Sequence, residues 1–363
     1  CFVNLSVVTK EKDGVIPAGH VIAHDQFRLS EQTNRPQYKA GGAKPQIVNE
    51  GDRIVVSSPK VQFVFDKKNG IVTSYKVGGK EYFHDGFGLR PNFWRAPTDN
   101  DYGNGAPERE QIWKQSSRHF HVTDATARIE GNQAIVGTTF LLPAGNLYIV
   151  DYTISPSGVM NVSARFTSTE LSAAEAEASE ATRTATFTPG KEAARKEASQ
   201  LNVPRIGVRF RLPASMNTVR YFGRGPEENY WDRKAGTPVG LYQSTADQLY
   251  FPYVRPQENG HHCDTRWLSL TAGNGGGLLI VADSLIEFNA LHNAIEDFDD
   301  EEKTHLPRQW NNFTPEMIAD HDEAKAKNRL RRQHHINDIT PRDFVEVCID
   351  LKQQGVAGYD SWG

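Results

Sequence analysis

The sequence has few cysteines, no excess of either charge and no long apolar run, and each of these shortages excludes a class of protein. Its 363 residues include only three cysteines, too few for a small domain held together by disulfides. Basic and acidic side chains nearly balance, 41 against 45, so the sequence predicts no basic face for nucleic acid. No apolar stretch approaches the roughly 20 residues that span a bilayer, so no membrane segment is predicted either.

Sequence signatures of nucleophilic and phosphate chemistry are also missing. The chain has neither a G-x-S-x-G elbow nor a G-x-x-x-x-G-K-[ST] loop. The glycine-rich run GNGGGLL at 273–279 lies between two strand patterns and therefore predicts a hairpin turn, not a nucleotide loop. His261, His262 and Cys263 are adjacent, but no second pair of ligands stands at zinc spacing, so the sequence predicts no metal site.

Alternation of apolar and polar residues runs through most of the chain. Residues 61–83 have the pattern of strand, Asn-Gly turn, strand, Gly-Gly turn and strand. Similar segments recur toward the C-terminus, with many of the 30 glycines and 19 prolines between them. Many short strands without helices between them predict an all-β, antiparallel sandwich. Residues 169–185, either a short surface helix or a flexible insertion, and the charged residues 297–333, which are expected to contain a helix, interrupt the pattern.

The first fifty residues differ from the rest. They contain two strand patterns, followed by a polar segment with glycine and proline at 32–52. Two strands do not form a stable unit by themselves. We therefore predict that residues 1–40 are the last strands of a neighbouring β-domain with a linker, and that residues 41–363 form the main domain.

Three polar segments stand at the ends of predicted strands. They are FWRAPTDNDYGNG (93–105), YFGRGPEENYWDR (221–233) and PYVRPQENGHHCDTRW (252–267). Each mixes arginine, carboxylates, amides and aromatic rings, which can bind sugar hydroxyls and pack against the apolar face of a pyranose. The same residue types also cap turns and bridge loops, so a purely structural role stays open. The stretch 93–103 is too irregular for a helix and predicts a structured loop.

In this order, the three segments resemble the C-terminal region of glycoside hydrolase family 2 β-galactosidases. They are similar to the family runs F-x-R-A-P-x-D-N-D-x-G, G-x-G-P-x-E-N-Y-x-D-R and P-Y-V-x-P-x-E-N-G-x-x-x-x-T-R. The segments AGHVIAHDQFRL (18–29) and IDLKQQGVAGYDSWG (349–363) also resemble the family. The resemblance implies a large antiparallel supersandwich, related to galactose mutarotases, over residues 41–363. Residues 1–40 would be the C-terminal strands of an immunoglobulin-like domain and a linker.

The resemblance implies that this region takes no part in bond cleavage itself. In the family, the general acid/base and the nucleophile are glutamates on a TIM barrel, which would precede residue 1. The full-length protein is then expected to be a retaining β-galactosidase that removes terminal non-reducing β-D-galactose residues. This segment would shape the active-site entrance and help assembly without a catalytic residue of its own. Spacing alone cannot select a catalytic pair among 45 acidic residues.

A set of substrate-binding residues is also implied by the resemblance. Gly103 closes the D-N-D-x-G run and would begin, with Asn104 and Gly105, a hinged loop that folds toward the active-site mouth. The acidic and amide residues before it would hold the base of the loop, and Arg95 would clamp one of the carboxylates. The expected substrate-binding residues are Arg95, Asp99, Asn100, Asp101, Gly103, Asn104, Glu258, Asn259 and His261.

Departures from the family pattern put some contacts in doubt. Some members lend a tryptophan from a late strand to the sugar cleft, but the matching residues 343–351 contain none. Phe344 or Trp310 is our candidate replacement. Ala357 and Tyr359 stand where the closing family motif has glycine and aspartate, so a tight turn or ion contact there is not assured.

Cofactors and partners follow from the same resemblance. No cofactor is expected in this segment, and a divalent metal (Mg²⁺) and Na⁺ would belong to the barrel. The expected partners are the immunoglobulin-like and barrel parts of the same polypeptide, a β-galactoside substrate and, at full length, further copies of the protein. The compartment stays open between bacterial cytoplasm and periplasm.

Two other functions stay open at this point. The chain could be a carbohydrate-binding module that acts without its barrel, because its polar segments suit sugars. It could also be a mutarotase-like epimerase, in which His261 or His262 with Glu258 would move protons at the sugar ring.

Overall fold

The computed structural model describes residues 1–30, 41–167, 202–299, 315–317, 319 and 335–357. Strands dominate these residues, and each strand pairing among them is antiparallel. In chain order the strands are β1 (Phe2–Val8), β2 (Val21–Arg28), β3 (Gln46–Glu50), β4 (Arg53–Ser57), β5 (Val61–Asp66), β6 (Ile71–Val77), β7 (Lys80–Glu81), β8 (Arg90–Asn92), β9 (Val122–Glu130), β10 (Gln133–Leu141), β11 (Leu147–Ile154), β12 (Met160–Thr167), β13 (Arg205–Pro213), β14 (Thr218–Arg224), β15 (Val239–Thr245), β16 (His262–Thr271), β17 (Gly277–Leu291) and β18 (Phe344–Gln353).

The described strands form four sheets. A hairpin joins β1 and β2, a five-stranded meander runs β3-β4-β5-β6-β7, and a four-stranded sheet runs β12-β11-β10-β9. The largest sheet has seven strands in the order β15-β14-β16-β17-β18-β13-β8. The predicted all-β antiparallel sandwich is confirmed, as are the meander at 61–83 and the hairpin turn that GNGGGLL makes between β16 and β17.

A buried apolar cluster joins the three larger sheets. The ring of Phe63 on β5 lies 5.8 Å from that of Tyr152 on β11. Tyr148, also on β11, donates its hydroxyl hydrogen to the Gly207 carbonyl on β13 over 3.1 Å. Because aromatic side chains bury large areas, these contacts hold the sheets face to face.

The β1–β2 hairpin contacts an edge of the seven-stranded sheet. The Gln26 side chain exchanges two hydrogen bonds of 2.8 Å with the backbone of Val239 on β15. The ring of Phe2 lies edge-on to that of Phe222, with centroids 6.3 Å apart. The predicted domain boundary after residue 40 borders residues 31–40, which lie outside the described part, and stays a prediction.

Helices in the described part are short. They are α1 (Asp99–Asn104), α2 (Ala106–Arg109), α3 (Gln111–Ser116), α4 (Ala246–Leu249) and α5 (Ile295–Phe298), with 3₁₀ turns at His84–Gly86, Pro143–Gly145 and Ile336–Asp338. None of these helices is long or apolar enough to cross a membrane. Residues 169–185 lie outside the described part, and of the charged stretch 297–333 the structure describes 297–299, 315–317, which are helical, and 319.

The loop predicted for residues 93–103 is wrong over its second half, because α1 begins at Asp99. The side chain of Thr98 accepts a hydrogen bond from the Asp101 backbone at 3.3 Å, and the Asp101 carboxylate accepts one from the Thr98 backbone at 2.7 Å. This is a reciprocal capping box, and its T-x-x-D spacing is visible in the sequence. Residues 93–97, just before the capping box, are irregular in composition, and they concealed that signal.

Candidate functional site

The first polar segment folds into a buried ionic clamp. Arg95 donates to both carboxylate oxygens of Asp101, at 2.7 and 3.1 Å, and both side chains are buried. Paired hydrogen bonds of this kind match the planar geometry of a guanidinium and a carboxylate. Burial alone would lower the pKa of Arg95, but the neighbouring Asp101 carboxylate raises it, so Arg95 stays charged. The clamp predicted for Arg95 is therefore present.

A loop from the end of the chain holds α1 on one side. Asn100 donates to the carbonyl of Val356 and Arg95 to that of Gly355, each over 3.0 Å. Asp232 accepts hydrogen bonds from two backbone N–H groups of the same loop, at 3.1 and 2.7 Å. This loop is therefore fixed between α1 and the second polar segment.

The third polar segment holds α1 on another side. The backbone N–H of Asp99 donates to the Gln257 side chain over 3.0 Å, and Arg255 forms an ion pair with the Asp99 carboxylate. The guanidinium of Arg255 also lies over the Tyr102 ring, 4.1 Å from its centroid. The first and third polar segments therefore meet, and the loop at 355–357 joins the first to the second. We call residues 99–105, 255–259 and 355–357 the loop junction.

Part of the loop junction faces solvent. Asp99, Asn100 and Gly103 are exposed, and Asn104 is half-buried. A methyl group on Gly103 would meet nothing within 4 Å, and its φ lies outside the left-handed region. Gly105 ends α1 with a φ of 71°. Of the glycines predicted as a hinge, Gly105 is thus the one whose backbone requires glycine, because side chains strain that conformation.

A buried polar network lies beneath the loop junction. Arg205 donates to Glu258 at 3.2 Å, to Asn289 at 2.7 Å and to Gln353, and it forms an ion pair of 3.2 Å with Asp350. The Glu258 carboxylate also accepts hydrogen bonds from Asn289 and Gln353, at 3.0 and 3.3 Å. All five side chains are buried. This network connects the loop that carries Glu258 to three strands of the large sheet.

Burial and hydrogen bonds shift the pKa values of titratable groups in and beside this network. Burial raises the pKa of the Asp350 carboxyl to about 7, although Arg205 and His261 act in the opposite direction. His261 is placed between Asn289, 2.9 Å from Nδ1, and Glu287, 3.1 Å from Nε2. Burial alone would lower the pKa of His261, but its hydrogen bonds to Cys263 and Glu287 raise it to about 10. The cluster therefore combines the pair of His261 and Glu287 with a carboxyl, Asp350, whose pKa burial raises.

Three predicted substrate-binding residues support the junction from below. Glu258, Asn259 and His261 are buried. Asn259 accepts a hydrogen bond from the Phe251 backbone at 3.2 Å, and so fixes its own loop. Their place in the structure is a supporting one, and a direct contact with substrate stays a prediction for them.

The epimerase alternative requires a histidine that faces a sugar. His262 is buried between the rings of Tyr221 and Phe288, with centroids 4.8 and 5.1 Å away. Burial lowers the pKa of His262 to about 4, so it is neutral at physiological pH. With His261 buried as well, the described geometry does not favour this alternative.

Of the two candidate replacements for the late-strand tryptophan, Phe344 and Trp310, the structure describes Phe344. Phe344 is buried, and the Arg211 guanidinium lies 4.1 Å from its ring centroid. Its ring is thus covered within the chain and is not open to a sugar. Trp310 and Tyr359 lie outside the described residues. Ala357 donates its backbone N–H to Asp232 over 2.7 Å, so the loop is held there despite the missing glycine.

Two side chains that the sequence did not single out contribute to the site. Asp232 fixes the loop at 355–357, as described above. Glu110 lines a small recess with Trp94, Arg95 and Pro204. Burial raises the pKa of Glu110 to about 7. Asp232 lies inside a quoted motif, but spacing does not show which loop it reaches, and no sequence signal marks Glu110.

Comparison with known proteins relates the chain to the beta galactosidase small chain family and to larger proteins named β-galactosidase. The sequence profile of the beta galactosidase small chain family matches residues 57–363. The β-galactosidase of Priestia megaterium is 30% identical over 95% of this chain and 28% of its own length. The β-galactosidase of Streptococcus thermophilus is 27% identical over 99% of this chain and 29% of its own length. That of Kluyveromyces lactis is 30% identical over 75% and 24%.

The chain spans less than a third of the length of these relatives. The family match covers strands β5–β7 of the meander, the four-stranded sheet, the seven-stranded sheet and all three segments of the loop junction. The motifs, the antiparallel sandwich and the family profile agree. This chain therefore belongs to the β-galactosidase small-chain family and corresponds to a C-terminal segment of its larger members.

Proposed function

We propose that this chain is the C-terminal sandwich of a retaining β-galactosidase that removes terminal non-reducing β-D-galactose residues. One observation carries the proposal: relatives named β-galactosidase match up to 99% of the chain, which spans only 28–30% of the longest-matching ones. The activity then belongs to a larger polypeptide. The share of this chain is to shape the active-site entrance and to assemble with the remaining domains.

The environment of the buried carboxylates supports a separate catalytic centre. A retaining glycosidase uses two carboxyl groups about 5 Å apart, on either side of the bond that breaks. Here Asp101 is held by Arg95, and Glu258 and Asp350 are held by Arg205. Each of these buried carboxylates thus already has its counter-charge within this chain, and removing a partner from such a pair is costly. We assign the acid/base and the nucleophile to glutamates of a barrel elsewhere in the polypeptide.

The loop junction is the part of this chain that we place at the entrance. Its outer face presents the carboxylate of Asp99 and the amide of Asn100, groups that bind hydroxyls. The clamp between Arg95 and Asp101 fixes the backbone below them, so the face is preorganised. We assign to this face the contacts with the galactoside or with the barrel loops that surround it.

Partners and ions follow from the same proposal. The chain would pack against the immunoglobulin-like and barrel domains of its own polypeptide, and full-length copies would associate with each other. Any Mg²⁺ or Na⁺ that hydrolysis uses would bind in the barrel.

Hydrolysis of a nitrophenyl β-galactoside tests whether catalysis requires the rest of the polypeptide. The full-length polypeptide should release nitrophenol, and the 363-residue chain alone should not. Hydrolysis by the chain alone would contradict the proposal, and so would an inactive full-length protein. An inactive full-length protein together with galactose binding to the chain, measured by calorimetry, would instead identify a carbohydrate-binding module.

A further inference from the structure

Three potential metal ligands meet at the base of β16 and β17. His261 immediately precedes β16, and Cys263 is the second residue of that strand. Glu287 joins them from the neighbouring strand β17. One ligand atom from each of the three side chains lies within 4.8 Å of the other two, and all three residues are buried.

The orientation of His261 is fixed by Asn289. Asn289 donates its amide hydrogens to Glu258 over 3.0 Å and to the carbonyl of Asn259 over 2.8 Å. Its amide oxygen therefore points to His261 Nδ1, 2.9 Å away, and can only accept. Nδ1 must carry a hydrogen, so Nε2 is the nitrogen left to face Glu287 and Cys263. Metal-binding histidines are oriented in the same way, through a hydrogen bond from the second ring nitrogen.

Glu287 and Cys263 each make a hydrogen bond to a backbone group. The Glu287 carboxylate accepts a hydrogen bond of 2.8 Å from the Gln353 backbone, and the Cys263 thiol donates to the carbonyl of Asn229 over 3.6 Å. Asp350 stands opposite Glu287 in the β17–β18 register. It pairs with Arg205, but neither of its buried oxygens accepts a hydrogen bond. Glu287 and Asp350 therefore place two carboxyl groups side by side on this face, next to His261 and Cys263.

We propose that His261 Nε2, Cys263 Sγ and a Glu287 carboxylate oxygen bind a divalent transition-metal ion, with zinc as the best match. Imidazole, thiolate and carboxylate are the three ligand types that zinc takes in proteins. Binding replaces the hydrogen on Nε2 and the thiol hydrogen, and both protons pass to solvent. The ion links β16 to β17 directly beneath the loop that carries Glu258. The sequence predicted no metal here because its third ligand comes from another strand.

Zinc content of the full-length polypeptide gives the first test. After dialysis against zinc-free buffer, the wild type should retain about one equivalent of zinc more than a Cys263→Ser variant. Cys348→Ser is the matched control, since Cys348 is also a buried free thiol but is outside the three-residue group. The control should retain as much zinc as the wild type. Equal zinc in the wild type and Cys263→Ser, an adventitious ion only, would overturn the proposal.

Cobalt provides a second, spectroscopic test. Wild-type protein stripped with a chelator and reloaded with Co²⁺ should show a thiolate-to-cobalt charge-transfer band in the near ultraviolet, and Glu287→Gln should weaken it. Removing the metal should also lower the Tm by roughly 5 °C, and added zinc should restore it. A wild type without the band, or with a Tm that neither treatment changes, would refute the site.

Discussion

Buried charged side chains are tolerated in this chain because oppositely charged side chains lie next to them. Arg95 and Asp101 form a bidentate pair with side chains only 3% and 6% exposed. Removing one member of such a pair is costly, since the other is left charged in a medium of low polarity. The same carboxylate also caps α1, so Asp101 combines two stabilising roles.

Asp101→Ala should lower the free energy of unfolding by roughly 3 kcal/mol, because it leaves Arg95 buried without a counter-charge. Urea denaturation followed by circular dichroism measures this change. Asp99→Ala is the control, since its side chain is 63% exposed and its ion pair with Arg255 lies at the surface. The control should lose less than about 1 kcal/mol. Equal losses for the two variants would show that the clamp does not stabilise the fold.

Glu110 predicts a pH dependence of stability. Burial raises its pKa to about 7 from the ordinary 4.5, so the folded chain keeps a proton that the unfolded chain has lost. Its contribution to stability is therefore greatest at low pH and declines as the pH rises from 4.5 to 7. Glu110→Gln should gain up to about 3 kcal/mol relative to the wild type across that interval.

Urea denaturation at a series of pH values checks this prediction. Glu108→Gln makes the same chemical change at a partly exposed position of α2 and should leave the pH profile of the wild type unchanged. A Glu110→Gln profile parallel to that of the wild type would show that the carboxyl does not titrate abnormally.

At the scale of elements, α1 and the turn after it decide how the loop junction is presented. The helix is a single capped turn that ends where Gly105 enters the left-handed region. Gly103 lies within the helix and has open space where a side chain would go. The backbone at position 105 therefore requires glycine, whereas position 103, two residues earlier, has room for a side chain.

Gly105→Ala should destabilise the chain by about 1 kcal/mol, because its φ of 71° strains any residue with a Cβ. Gly103→Ala should instead be neutral or stabilising by about 0.5 kcal/mol, since alanine favours the helical backbone and meets no neighbour. Thermal denaturation of both variants gives the comparison. A larger loss for Gly103→Ala would show that α1 adopts another conformation for much of the time.

At the scale of the whole molecule, stability depends on a core that several sheets share. Phe63 of the five-stranded sheet contacts Tyr152 of the four-stranded sheet, and Tyr148 on the same strand bonds to the seven-stranded sheet. Because the buried cluster is continuous, a core substitution in one sheet should also disturb the packing of the others.

Phe63→Ala should lower the free energy of unfolding by about 3–5 kcal/mol, since it leaves a cavity between two sheets. Phe251→Ala is the matched control, because Phe251 is 48% exposed and its loss leaves no cavity in the core. Guanidinium denaturation of both variants gives the two values. A small loss for Phe63→Ala would contradict the shared core.

Local pattern was enough to predict the fold class and several contacts. Alternation of period two predicted the meander and most strands of the large sheet, because strand faces are determined by neighbours two residues away. The clamp of Arg95 on a nearby carboxylate was also predicted, since its partners are six residues apart. Among the strands that were missed are the edge strand β15 and the weakly buried β9, because exposed strands alternate less clearly.

By itself, the sequence determined an all-β chain with family motifs in a set order, because both depend on residues close together along the chain. Only the tertiary structure decided that Glu258 and His261 are buried, that Glu287 reaches His261, and that two distant loops meet at α1. The contact between Asn100 and Val356 joins residues 256 positions apart. Which distant residues meet, and which become buried, depends on how whole sheets pack, and no local spacing encodes that result.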